Sequence, residues 1–174
     1  ILNKLPNQNH EFLEGSVPYT INPGGPNHEE LSCLIGISEY FDNLYNYHFE
    51  DKNISKLNKI KKINNLISDH EEKIANKLLN YINTNSKIKL IGKNKIEDKN
   101  RAPTISFTVK EKTSKEVSDF LVSNDIALRN DNFYAWRCLK ALGIDTDDGV
   151  IRASMVHYNN DQEIEKIIKV LEML

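Results

Sequence analysis

The sequence predicts an α/β chain: a small sheet covered by helices on one face and preceded by two long helices. Three observations predict it. Apolar residues recur at helical spacing through two long stretches between residues 26 and 82. Beyond them, short runs of alternating or β-branched residues are interleaved with helical patterns. No internal repeat and no long low-complexity linker divides the 174 residues, a length that suits one domain or a sizeable part of a larger enzyme.

Residues Ile1 to Gly25 hold Pro6, Pro18, Pro23, Gly15, Gly24 and Gly25 without a sustained period, which punctuates the chain into turns. The first helix starts at Pro26, whose missing N–H is no loss at the first helical position. Glu29 and Glu30 suit the positive end of its dipole. Leu31, Leu34, Ile35, Phe41, Leu44 and Tyr45 mark its apolar spacing, and it ends near His48. The second helix carries Ile60, Ile63, Ile67, Ile74, Leu78 and Ile82 on one face and Lys, Asn and Glu on the other, as a surface helix does. Asn83 to Ser86 ends it.

Lys87 to Ile91 reads as a short strand, and Gly92 to Asn100 as a polar loop. In Thr104 to Val109, Ile105, Phe107 and Val109 alternate with polar residues, a strand pattern. Thr113 or Ser114 caps a helix carrying Val117, Phe120 and Leu121. Ile126 to Arg129 is a further strand, Phe133 to Leu142 a short helix stopped by Gly143, and Val150 to Met155 a strand entered from the turn at Asp147-Asp148-Gly149. Asn160 caps the last helix, with Glu163 completing a capping box and Ile164, Ile167, Ile168 and Leu171 facing inward.

Lys+Arg is 23 and Asp+Glu is 25, so the chain lacks the basic excess of a general nucleic-acid binder. No apolar run approaches the roughly 20 residues that span a bilayer, and no charged-then-apolar signal segment opens the chain. Cys33 and Cys138 are too few for a disulfide framework, which points to a reducing, cytoplasmic setting. Both lie on apolar-rich helices and read as structural, buried thiols. His157 has no second ligand at metal spacing. The chain opens on Ile1 in what reads as the middle of a segment, so a piece of a longer protein is expected.

Three places could carry chemistry. In Pro23-Gly24-Gly25-Pro26-Asn27, two glycines before a helix N-terminus suit a phosphate, or form an ordinary turn. Arg152 is one of four arginines and stands within a strand-like run. Its planar fork suits a carboxylate, or it pairs with Asp145, Asp147 or another surface acid. Arg129-Asn130-Asp131-Asn132-Phe133-Tyr134 is a polar loop between a strand and a helix. There Tyr134 could hydrogen-bond a ligand or pack, while Phe133 and Trp136 are expected to pack.

The order of Gly24-Gly25-Pro26-Asn27-His28-Glu29, Arg101-Ala102-Pro103-Thr104-Ile105-Ser106-Phe107 and Gly149-Val150-Ile151-Arg152-Ala153-Ser154-Met155-Val156-His157-Tyr158-Asn159-Asn160 resembles the C-terminal part of class V aminotransferase-fold enzymes, the group of cysteine desulfurases and selenocysteine lyases. The likeness runs from about Glu14 to Leu174, and the last motif is close to the family's Arg-x-Ser-x-x-x-Tyr-Asn-Thr, with Asn160 in place of Thr. The resemblance implies the α+β small domain of a fold-type I enzyme that uses pyridoxal 5'-phosphate as an electron sink. It implies that residues 1–50 are an active-site loop segment and connecting helix from the large domain, and residues 51–174 the C-terminal small domain. Arg152 would bind the α-carboxylate of an amino-acid substrate, with Arg129 assisting. The Gly24-Gly25 turn would reach the cofactor phosphate of the neighbouring subunit in a homodimer, with Gly25 where the family has threonine.

Two departures bear on the reaction. Tyr134 stands where cysteine desulfurases carry their nucleophilic cysteine, and Cys138 lies one helical turn further on. The family's Schiff-base lysine lies upstream of the matched region, and none of the 19 lysines here sits in that context. The expectation is therefore a C-terminal fragment of a desulfurase-like lyase or transferase, inactive alone. The competing expectation is a stand-alone dimerisation or interaction module, or half of a split enzyme.

Overall fold

The computed structural model describes residues 1–13, 15, 17–22, 24–51, 53–97 and 99–174, with only the backbone of Pro18. Glu14 and Pro23, singled out above, lie outside the described residues. The chain divides into two compact units, Ile1–Ile63 and Asn64–Leu174.

In the first unit, the described residues before α1 form three single-turn 3-10 helices, Leu2–Lys4, Glu11–Leu13 and Val17–Tyr19. Helix α1 (His28–His48) follows. Asn27, rather than Pro26, starts it: the Asn27 side chain accepts a hydrogen bond from the Glu30 N–H and so satisfies one of the first-turn donors. Pro26 therefore stands one residue before the cap. The helix buries Tyr45 alone among its residues. The Tyr45 hydroxyl donates to the Asp51 carbonyl at 2.7 Å, and Lys59 and Lys62 lie over its ring. Toward the start of α1, Leu34 and Ile35 are 56% and 64% exposed, while Phe41 and Leu44 are half-buried. Helix α2 (Lys56–Thr84) begins here, with Ile63 buried, and continues into the second unit.

The second unit is a four-stranded antiparallel sheet in the order β1 (Ile88–Ile91), β2 (Thr104–Val109), β4 (Val150–Ser154), β3 (Arg129–Asp131). Since β4 is antiparallel to both neighbours, β2 and β3 run parallel and β4 fills the gap between them. Alternation sets the faces. Ile105, Phe107 and Val109 of β2 and Ile151 and Ala153 of β4 are buried in one core. That core also holds Ile74, Leu78 and Ile82 of α2, Val117 and Leu121 of α3 (Ser114–Ser123), and Ile164, Ile167 and Leu171 of α5 (Asp161–Leu171). Thr113 with Glu116, and Asn160 with Glu163, cap α3 and α5 in reciprocal boxes. Lys73 and Lys77 of α2 pair with Asp161 and Glu165 of α5, at 2.7 and 2.6 Å for the closest contacts.

Two elements differ from expectation. The third strand runs over Arg129–Asp131 rather than 126–129. Ile126 and Leu128 instead turn toward the core as partly buried side chains. Helix α4 is Trp136–Ala141, starting three residues late, because Phe133 and Tyr134 have positive φ values of 51° and 59° that no right-handed helix allows.

Candidate functional site

The site is built on the face of the sheet that the core does not use. In the ladder, Arg152 of β4 is opposite Ser106 of β2 on one side and Arg129 of β3 on the other. Directly paired residues share a face, so both arginines project from the same side. Arg152 is half-buried and Arg129 exposed. Phe133, half-buried just past β3, brings its ring under both: the guanidinium carbon of Arg152 is 4.1 Å from the ring centroid and that of Arg129 is 5.8 Å away.

Neither guanidinium forms a salt bridge with a described acid. The Arg152 Nε is enclosed and has no hydrogen-bond partner among the described residues. A buried donor without an acceptor is unfavourable, so this guanidinium is held at a local cost. Asp145, one surface acid considered for Arg152, instead accepts from the Asp147 N–H at 2.9 Å.

Local sequence holds Phe133 in place. The Asn132 side chain accepts from the Tyr134 N–H at 3.0 Å and donates to the Thr146 carbonyl at 3.2 Å, which pins the left-handed residues to the turn before β4. The Asn132 carbonyl accepts from the Ala135 N–H. Gly149, at φ 75°, opens β4, and a Cβ there would run into the backbone of Asp131 and Asn132. Behind the sheet, Ser114 at the start of α3 receives the Asn130 side-chain amide and donates its own hydroxyl to the Asp148 carbonyl. The Ser114 N–H donates to the Asp148 carboxylate at 2.8 Å. One buried serine thus ties β3 to the turn that feeds β4.

Of the residues read as candidates, the structure brings Arg129 and Arg152 together. Tyr134 belongs to the same loop, but its side chain is 99% exposed. Gly24 and Gly25 lie in the first unit, and a Cβ at either would meet nothing within 4 Å. Phe133 packs as expected, but on guanidinium groups, and Trp136 is 55% exposed rather than packed. Sequence reasoning missed Phe133 as part of the site. No local pattern signals it, since Phe133 lies past the end of β3 in a left-handed turn.

Cys33 and Cys138 are free and exposed, which corrects the expectation that both are buried. Cys33 belongs to the largely uncovered α1. Cys138 sits on α4, which buries only Leu139.

The residues present do not on their own fit a covalently held pyridoxal phosphate. Among the described residues no lysine is buried, and an attachment lysine needs a desolvated setting that lowers its pKa. Lys77 and Lys95 are moved the other way, raised by hydrogen bonds to Glu165 and Glu97. A Cβ at Gly24 or Gly25 would meet no described atom within 4 Å, so no close neighbour requires glycine at either position. What the second unit supplies is a pair of arginines on one sheet face with no described acid partner.

The aminotransferase class-V family matches residues 54–167, a span that includes Arg129, Phe133, Tyr134 and Arg152 and leaves out Gly24 and Gly25. The aminotransferase-like protein FGM3 of Gibberella zeae is 33% identical over 109 residues, 62% of this chain and 27% of that protein. The apo cysteine desulfurase of Thermococcus onnurineus NA1 is similar in structure, with a TM-score of 0.55 and 25% identity, over 66% of this chain and 28% of that one. The cysteine desulfurase CsdA of Escherichia coli shares the fold at a TM-score of 0.61 and 17% identity, over 90% of this chain and 32% of its own. The chain therefore spans a third or less of the length of these relatives. Its fold is that of one part of a fold-type I enzyme, and with the family matching 54–167, the chain belongs to the class V aminotransferases.

Proposed function

We propose that this chain is the C-terminal portion of a pyridoxal-phosphate-dependent enzyme acting on an amino acid, a desulfurase-like lyase or transferase. Arg152 receives the substrate's α-carboxylate and Arg129 assists. The family is one of pyridoxal-phosphate enzymes, which supports the cofactor. The observation that carries the reading is the acid-free pair of arginines on one sheet face, with the Arg152 Nε enclosed and unpartnered. A guanidinium in that state forms parallel charge-assisted hydrogen bonds with a planar carboxylate.

The reaction differs from persulfide formation, since Tyr134 stands in the nucleophile's place and a phenol cannot hold a sulfane sulfur. In the complete enzyme, residues 1–50 serve as active-site segment and connecting helix and residues 51–174 as the small domain. The open Gly24-Gly25 turn faces the cofactor phosphate of a second subunit in a homodimer. Two free, exposed thiols are consistent with a reducing, cytoplasmic compartment.

The test is Arg152→Ala in the complete protein. KM for the amino-acid substrate is expected to rise roughly ten- to hundredfold, the worth of hydrogen bonds to a charged group. Unchanged kinetics would remove the carboxylate role.

A further inference from the structure

We infer that Phe133 is a positioning residue: its ring holds the Arg152 guanidinium flat, so that the edge carrying the N–H donors is presented to the substrate carboxylate. The inference rests on the carboxylate role of Arg152. A free guanidinium on a flexible stem samples many orientations, and bidentate recognition needs one plane. The usual device is an acid that clamps the guanidinium from behind. No described acid does so here, and the Nε has no hydrogen-bond partner. The contact that remains is the ring of Phe133, 4.1 Å from the guanidinium carbon. Stacking occupies a face of the group and leaves the in-plane donors free, whereas a clamping carboxylate would use them.

Core packing does not explain this ring. Phe133 is neither in the buried core cluster nor among the side chains packed against it, and its described ring contacts are two guanidiniums. Its backbone is left-handed, and so is that of Tyr134, a conformation unfavourable for bulky residues. The Asn132 side chain and the side-chain-free Gly149 hold that conformation. Two separate features, the Asn132 side chain and Gly149, thus hold the turn that puts one aromatic ring beneath Arg152.

The experiment measures KM and kcat of the complete enzyme for Phe133→Leu and Phe133→Tyr, each with Arg152 intact and with Arg152→Ala. Phe133→Leu is expected to raise KM about three- to tenfold, with kcat little changed. Phe133→Tyr, which keeps the ring face, is expected to stay near the parent. In the Arg152→Ala background, Phe133→Leu is expected to add much less than it does with Arg152 intact, because the nearer of the two guanidiniums over the ring is then gone. An unchanged KM in Phe133→Leu, or an equal rise in both backgrounds, overturns the inference while leaving Arg152 its role. An Arg152→Ala variant with unchanged KM overturns both together. Should Phe133→Leu not fold, the Arg152 Nε–H resonance of the unsubstituted protein decides. Displacement by the ring current is expected, and an ordinary position overturns the stack.

Discussion

Arg129 and Arg152 are direct partners in the β3–β4 ladder, so two like charges share one face of a small sheet with no described acid between them. Like charges directly opposite each other are destabilising. The pair is thus a local cost retained beside a loop that is itself in an unfavourable backbone conformation. Replacing Arg129 by Gln is expected to leave stability unchanged or raise it by up to about 1 kcal/mol, and to weaken substrate affinity. Urea unfolding checks the first and KM the second. A clear loss of stability would mean that Arg129 has a structural partner.

Gly149 and Gly24 should respond very differently to an added methyl group. Gly149→Ala forces a Cβ into the Asp131–Asn132 backbone at a φ of 75°, and is expected to cost at least about 2 kcal/mol of unfolding free energy. Gly24→Ala, with open space around it, is expected to stay within about 0.5 kcal/mol of the parent. Denaturant midpoints compared at equal slope decide both.

The caps predict a smaller, local effect. Asn160→Ala removes the acceptor for the Glu163 N–H at the start of α5 and is expected to cost about 1 kcal/mol. Thr113→Ala does the same at α3. The two helices start at separate points of the second unit, so the double variant should show nearly the sum in a thermal or urea melt.

Acid should weaken the fold in a definite direction. The Thr113 backbone N–H holds Glu116 below the ordinary 4.5, and the Lys77 ammonium does the same to Glu165. Lys73 lowers Asp161 below 3.8. Each is a carboxylate depressed by folding, so its contribution is fully present above the ordinary value and is lost as pH falls through the lower folded one. Stability is expected to be flat from neutral pH to about pH 5 and to fall below it. Replacing Lys73 and Lys77 with Met should flatten that fall. An acid limb unchanged by this double replacement would show that these pairs contribute nothing.

The thiols give a chemical check. Both Cys33 and Cys138 are expected to react with a water-soluble aromatic disulfide in the native protein, without denaturant. Cys138→Ser is expected to leave turnover of the complete enzyme nearly intact, since Cys138 lies on α4 rather than in the loop of Phe133 and Tyr134. Loss of activity with normal folding would bring back a desulfurase reading.

Periodicity and caps determined much of this protein. The two long helices, the Thr104–Val109 strand and the Asn160–Glu163 capping box are local features written in adjacent residues, whereas at α3 the structure chose Thr113 over Ser114 and added a box with Glu116. Arg129 and Arg152 were legible as candidates by residue type and motif order. Tertiary structure alone decided three things. The third strand moved to Arg129–Asp131 because pairing with β4, not apolar content, determines what becomes a strand. The left-handed backbone at Phe133 and Tyr134 cut α4 short, and it depends on hydrogen bonds to Thr146 and space at Gly149 that no local pattern shows. The 4.1 Å approach of the Arg152 guanidinium to the Phe133 ring joins residues nineteen positions apart in sequence. It exists because the β3–β4 ladder sets Arg129 beside Arg152 and the left-handed turn just past β3 carries the Phe133 ring to the pair, a long-range relation that sequence spacing does not contain.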